Sequence, residues 1–145
     1  MPTILGPRFD PTFMGLPPRM SAQDYEIWIK FRPRYTGGAL GLYFDVGLGE
    51  GFPTPDEVDP AIVKMWLKNT QKRADLIMET KEHIKIIEFR SHATATSLGR
   101  LLMYGMLWER DPIIKKPIGL YLCTNSFDQE VKDLADELGI LYEVF

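Results

Sequence analysis

The chain has 145 residues, enough for one domain with a substantial core. Its composition, 45% hydrophobic and 26% charged with a mean hydropathy of -0.14, is that of an ordinary globular protein, and no run approaches the roughly 18 uninterrupted apolar residues of a membrane helix. A net charge of -3 and a pI near 5.4 argue against a protein whose main task is coating nucleic acid, because phosphate contacts supply most of such affinity; a local basic groove is still compatible with them.

The first twenty residues, "MPTILGPRFDPTFMGLPPRM", carry five prolines and no helical or strand period. Proline fixes φ and bars regular pairing, so an extended arm is expected over 1–20, with the folded domain over 21–145. The arm lacks the apolar stretch of a signal peptide, so a secreted destination is not expected. It is rich in large apolar residues (Ile4, Leu5, Phe9, Phe13, Met14 and Leu16), which a disordered tail avoids. Such an arm needs a surface to lie on. That surface is either its own domain or a neighbouring subunit.

Ser21, with Asp24 three residues on, opens a helix through "AQDYEIWIKF", and Pro33 is expected to end it near Phe31. Tyr25, Trp28 and Ile29 share one face, with Ile27 and Phe31 beside them. "ALGLYFDVGLGEG" reads as a strand and a glycine-rich loop. The loop lacks the Lys-Ser/Thr of a P-loop and the setting of a dinucleotide fingerprint, so a plain loop is the better reading. "DPAIVKMWLKNTQKR" is a second helix, capped by Asp59 with Pro60 in its first turn. Its basic end, Lys68 to Arg73, suits either solvation or contact with DNA.

Two strands follow in "RADLIMETKEHIKIIEFR", around a turn at Lys81 to His83. A third helix spans 94–110, apolar at Leu98, Leu101, Leu102, Gly105 and Trp108, with Met103, Met106 and Leu107 expected in the core. "KPIGLYLCTN" reads as a buried strand, "DQEVKDLADELG" as a helix between Asp128 and Gly139, and "ILYEVF" as a last strand. Cys123, the only cysteine, reads as a packed thiol. His83 and His92 read as polar loop residues. The class expected is α/β (α+β), a mixed central sheet flanked by helices.

Strand alternation puts Asp75, Ile77 and Glu79 on one side, and Ile84, Ile86, Glu88 and Arg90 on one side of the next strand. Glu88 thus projects from a face otherwise filled by isoleucine, where an acid is costly unless paired or metal-bound. In a hairpin, Asp75 and Glu88 meet at the end away from the turn. Two carboxylates there call for a cation. Mg²⁺ is one answer, since it takes a carboxylate pair and completes its shell with water and phosphate oxygens. The guanidinium of Arg90 is the other.

Asp75, a strand, a turn, then Glu88-Phe89-Arg90 and an amphipathic helix resembles the PD-(D/E)XK nuclease superfamily. "RLLMY", Arg100 to Tyr104, resembles the QLxxY-type helix that follows the acid-x-Lys strand in many members. The order of elements over about residues 21–125 resembles their αβββαβ core, with an extra C-terminal helix and strand. The resemblance implies Mg²⁺ on Asp75 and Glu88, Arg90 in the place of the lysine that handles the attacking water, and Arg100 in the place of a supporting glutamine. It aligns Tyr104 with the tyrosine, and offers Glu26 as the extra acid some members carry. Arg90 and Arg100 depart from the pattern. An arginine does not deprotonate at working pH, so it is no general base, although it stabilises phosphate charge well.

Two functions follow. One is a catalytically degenerate nuclease-fold protein acting as an assembly or adaptor component, its arm docking on a neighbour. The resemblance extends to small tailed-phage proteins, which implies a particle component or a protein of the host cytoplasm. The other is an active Mg²⁺-dependent endonuclease acting on DNA. No membrane partner is expected under either.

Overall fold

The structure, a computed structural model, describes residues 3–53 and 59–145; the first two residues of the arm lie outside it. In chain order it contains α1 (Ala22–Tyr35), β1 (Ala39–Leu48), α2 (Pro60–Thr70), β2 (Lys72–Thr80), β3 (Ile84–Arg90), α3 (Ala95–Arg110), β4 (Ile118–Thr124), α4 (Gln129–Leu138) and β5 (Leu141–Val144). The strands form a single mixed sheet in the order β1-β2-β3-β4-β5. The first three make an antiparallel meander, while β4 runs parallel to β3 and β5 parallel to β4. Parallel neighbours need crossover helices, which α3 and α4 supply. The mixed sheet with flanking helices is the expected class.

The sheet separates two cores. On one face α3 and α4 bring Leu98, Leu101, Trp108, Val131 and Ala135 against Ile77, Ile84, Ile86 and Leu122. On the other, Ile27, Trp28 and Phe31 of α1 cover Leu42, Phe44, Leu76, Ile87 and Phe89. Trp28 is fully buried, edge-on to Phe44 at 5.3 Å between ring centroids and to Phe89 at 6.2 Å. α2 buries no side chain, which sets it apart from the other helices.

Most helix ends follow their sequence signals. Ser21 Oγ accepts from the Asp24 amide at 3.1 Å, and Asp59 Oδ1 accepts from the Ala61 amide at 2.7 Å. Asp128 Oδ1 accepts from the amides of Glu130 and Val131 at 3.0 and 3.1 Å, and Gly139 closes α4 at φ 72°, a conformation glycine adopts freely. Asp128→Ala should therefore lower stability by about 1 kcal/mol, read as a lower urea midpoint at unchanged slope.

Three expectations are corrected. α1 does not stop near Phe31 but continues through Pro33 to Tyr35. Proline within the last turn removes one backbone donor, and the turn is held instead by Thr36, whose amide and hydroxyl both donate to the Arg32 carbonyl. The buried face of α1 is Ile27, Trp28 and Phe31, with Tyr25 packing at its margin, whereas Ile29 faces solvent. On α3, Leu102, Met103 and Met106 are exposed, because Ser97, Leu98, Leu101, Tyr104, Gly105 and Trp108 already fill the sheet-facing side. The glycine-rich loop is a packing feature. Gly49 has φ 78°, and a Cβ there would press on the Leu107 side chain at 3.1 Å.

The arm lies on its own sheet. Ile4 pairs with Gly47 and Phe9 with Leu42 along the outer edge of β1, each pair exchanging two backbone hydrogen bonds. Phe9 and Phe13 pack on Phe44, with ring centroids 5.2 and 6.0 Å away, and Leu5 packs against the other core. An unpaired edge strand is a template for association, and the arm covers this one. Ile4 stays partly exposed, and Met14 and Leu16 are open to solvent.

Candidate active site

The register Leu76↔Ile87 and Ile77↔Ile86 makes Asp75 and Glu88 the next facing residues beyond Leu76 and Ile87, at the hairpin end remote from the turn. The Phe89 amide donates to Asp75 Oδ2 at 2.9 Å. Glu88 is 1% exposed on a sheet face filled by isoleucine and leucine, covered by α3. The two carboxyl groups hydrogen-bond to one another.

Burial pushes the Glu88 carboxyl up to about 9, and the negative charge of Asp75 beside it adds to the shift; Arg90 and Arg100 pull the other way without cancelling it. Burial also raises Asp75, opposed by the hydrogen bonds it accepts from Glu88 and Phe89. At neutral pH, then, Glu88 keeps its proton and donates it to Asp75. Two like charges in a dry site cannot both persist, and sharing a proton removes the conflict.

Arg90, half-exposed, places its Nε 3.9 Å from Glu88 Oε2. That distance is an electrostatic approach rather than a hydrogen bond, and both atoms are buried without another protein partner among the described residues. Tyr104 is buried on α3, and its hydroxyl is raised well above its usual value by burial and by Glu88 and Asp75. Arg100 is exposed on the same helix, one turn before Tyr104, and its charge is felt by both Glu88 and Tyr104. So Asp75, Glu88, Arg90, Arg100 and Tyr104 gather at one end of the sheet.

Glu26 does not join them. It lies on the exposed side of α1. The helix acid in reach is Asp24, which acts on Asp75 and is itself acted on by Arg90. In the sequence Asp24 stood out only as a capping residue. Its place in the first turn was the available signal, since that turn lies nearest the end of β3. Also unforeseen is the network behind the site, where Ser126 Oγ donates to the Ser91 carbonyl at 2.6 Å and lies 3.3 Å from His92 Nδ1.

Arg73, at the end of the basic run, is committed elsewhere. Its Nε donates to Asp45 Oδ1 at 2.8 Å and its Nη2 to the Asp45 carbonyl at 2.6 Å. Cys123 is buried between strands, with its thiol raised by burial, which makes it a packed thiol rather than a nucleophile.

Mg²⁺ fits this arrangement poorly. It keeps several waters in a strict octahedron, yet Glu88 is enclosed, one Asp75 oxygen is taken by the Phe89 amide, and the remaining Glu88 oxygen faces a guanidinium. No group of three or more acid, histidine or cysteine side chains placed to hold a metal occurs among the described residues. An ion would have to displace both the shared proton and Arg90. No family model matches the chain, and no curated protein or solved structure is found to be similar to it.

Proposed function

We propose that this chain is a nuclease-fold protein that has lost phosphodiester hydrolysis and serves as an assembly or adaptor component. One observation carries the reading. Glu88 is enclosed and hydrogen-bonded to Asp75, and the charge of Arg90 stands 3.9 Å from its other oxygen, which has no hydrogen-bond partner among the described residues. A hydrolase of the resembled kind needs open carboxylates and a group able to handle a water proton. Arginine, always protonated, does not do the second task. The meander, the crossover to a parallel fourth strand and the helix over Glu88 support kinship with PD-(D/E)XK proteins, and fold alone does not imply activity. By the resemblance to small tailed-phage proteins, the setting is a virus particle or its assembly in the host cytoplasm.

A second reading, an active Mg²⁺-dependent endonuclease, is favoured by the convergence of Asp75, Glu88 and Tyr104 in the places the resemblance assigns. The discriminating experiment is cleavage of supercoiled plasmid by the purified protein in Mg²⁺ and in Mn²⁺, beside Glu88→Ala prepared identically. Equal, background-level nicking by both proteins is expected. Nicking that disappears in Glu88→Ala would establish the endonuclease instead.

A further inference from the structure

We infer that the N-terminal arm is exchanged between copies of this chain, each arm lying on the β1 edge of a neighbour. The arm runs the length of that edge. At one end the Thr3 amide donates to Asp111 Oδ2 at 2.9 Å, beyond α3; the Ile4–Gly47 and Phe9–Leu42 bridges follow, and after a turn in which the Phe13 amide donates to the Asp10 carbonyl, Phe13 packs back on Phe44 between them. These contacts are the same whether the arm belongs to its own domain or to another copy. The balance between the two is therefore set by the hinge joining arm and α1, and short hinges under strain favour exchange.

This hinge is strained at one residue, although Pro17 is buried and Met20 packs on the α1-side core. Arg19 sits at φ 60°, in the left-handed region disfavoured for a side chain with a Cβ. Among the described residues one backbone hydrogen bond, Met20 to Pro17 at 3.3 Å, closes the reversal, helped by an exposed Arg19–Asp45 pair at 3.5 Å. Pro17 and Pro18 precede it, and consecutive prolines prefer an extended run that would carry the arm away from its own domain. Opening the hinge relieves Arg19.

The hinge also leaves apolar surface without a partner. Met14 is 68% and Leu16 63% exposed. Beside them is an open cavity of about 450 Å³ lined by Pro11, Met14, Arg32 and Pro33 among others. A second copy seated at this hinge would take Met14 and Leu16 out of water and fill the cavity beside them. The second copy is thus the occupant that satisfies strain and exposure together. This deepens the assembly role by naming the neighbour, yet it does not depend on the state of the carboxylates. Plasmid nicking would overturn the proposed loss of catalysis and leave arm exchange untouched.

The test uses the full chain. Light scattering during gel filtration should give a multiple of the 16.7 kDa chain mass at tens of micromolar protein. A single-chain mass up to millimolar concentration would overturn the proposal. Thr3→Cys/Asp111→Cys, treated with a short bis-maleimide and denatured, should yield chains linked to one another. Oligomers that denature to single, internally closed chains would equally overturn it. Arg19→Gly, which removes the strain from the closed hinge, should weaken association by about tenfold per hinge. An unchanged association constant would show that the hinge does not drive exchange.

Discussion

Raising the pH from 5 to 8 should lower the urea midpoint of this protein, and Glu88→Gln should remove most of that slope. In the unfolded chain the Glu88 carboxyl releases its proton near 4.5, whereas the fold holds it to about 9. Between those limits the folded state binds more protons than the unfolded state, so stability falls as pH rises. The contribution is complete below the unfolded value and gone once pH passes the folded one, with a slope of at most about 1.4 kcal/mol per pH unit for one proton. The raised carboxyl of Asp75 adds in the same direction. Cys123 and Tyr104, both raised by burial, begin to contribute only above the chosen range, since their unfolded values are 9.0 and 10.0. Glutamine keeps the shape of protonated Glu88 and its hydrogen-bond donor to Asp75, so the variant should match the wild type at pH 5 and exceed it at pH 8. Comparing the two proteins cancels the titrating groups that do not touch Glu88, so the difference reports Glu88 together with its partner Asp75. Parallel pH profiles would mean that the pair does not share a proton, and would reopen the site to a metal.

Trp28→Ala should be the most damaging single truncation on the α1 side of the sheet, costing about 3–5 kcal/mol. The indole is fully buried, stacked on Phe31 at 5.9 Å and edge-on to Phe44 and Phe89, so its loss opens a cavity that rigid rings on three sides cannot fill. Ile29→Ala on the same helix should change stability by less than about 1 kcal/mol, because Ile29 is 40% exposed. Chemical denaturation of the two variants checks the contrast. Equal losses would mean that the helix is rotated toward the face suggested by apolar spacing alone.

Much of the fold was legible because its signals are local. The hairpin turn at Lys81 to His83, the Asp59 and Asp128 caps and the Gly139 stop each act within a few residues, and all lie where the sequence put them. Strand alternation likewise brought Asp75 and Glu88 to one end, since a period of two leaves no choice once the turn is fixed. Pro33 misled because one lost hydrogen bond in a last turn is tolerated when Thr36 supplies two others to the same carbonyl. Met103 and Met106 misled because hydrophobicity does not say which side of a helix the sheet will take.

The chain by itself thus determined a mixed α/β domain, an acid pair at one sheet end with arginines close by in sequence, and an apolar arm that had to lie on something. Only the tertiary structure decided that Asp24 rather than Glu26 approaches the pair and that the arm completes the β1 edge. It alone decided also that Glu88 is enclosed tightly enough to keep its proton. The reason is that charge state and face choice depend on what packs around a residue. Desolvation and neighbouring charge come from elements far apart in sequence, which no local pattern records.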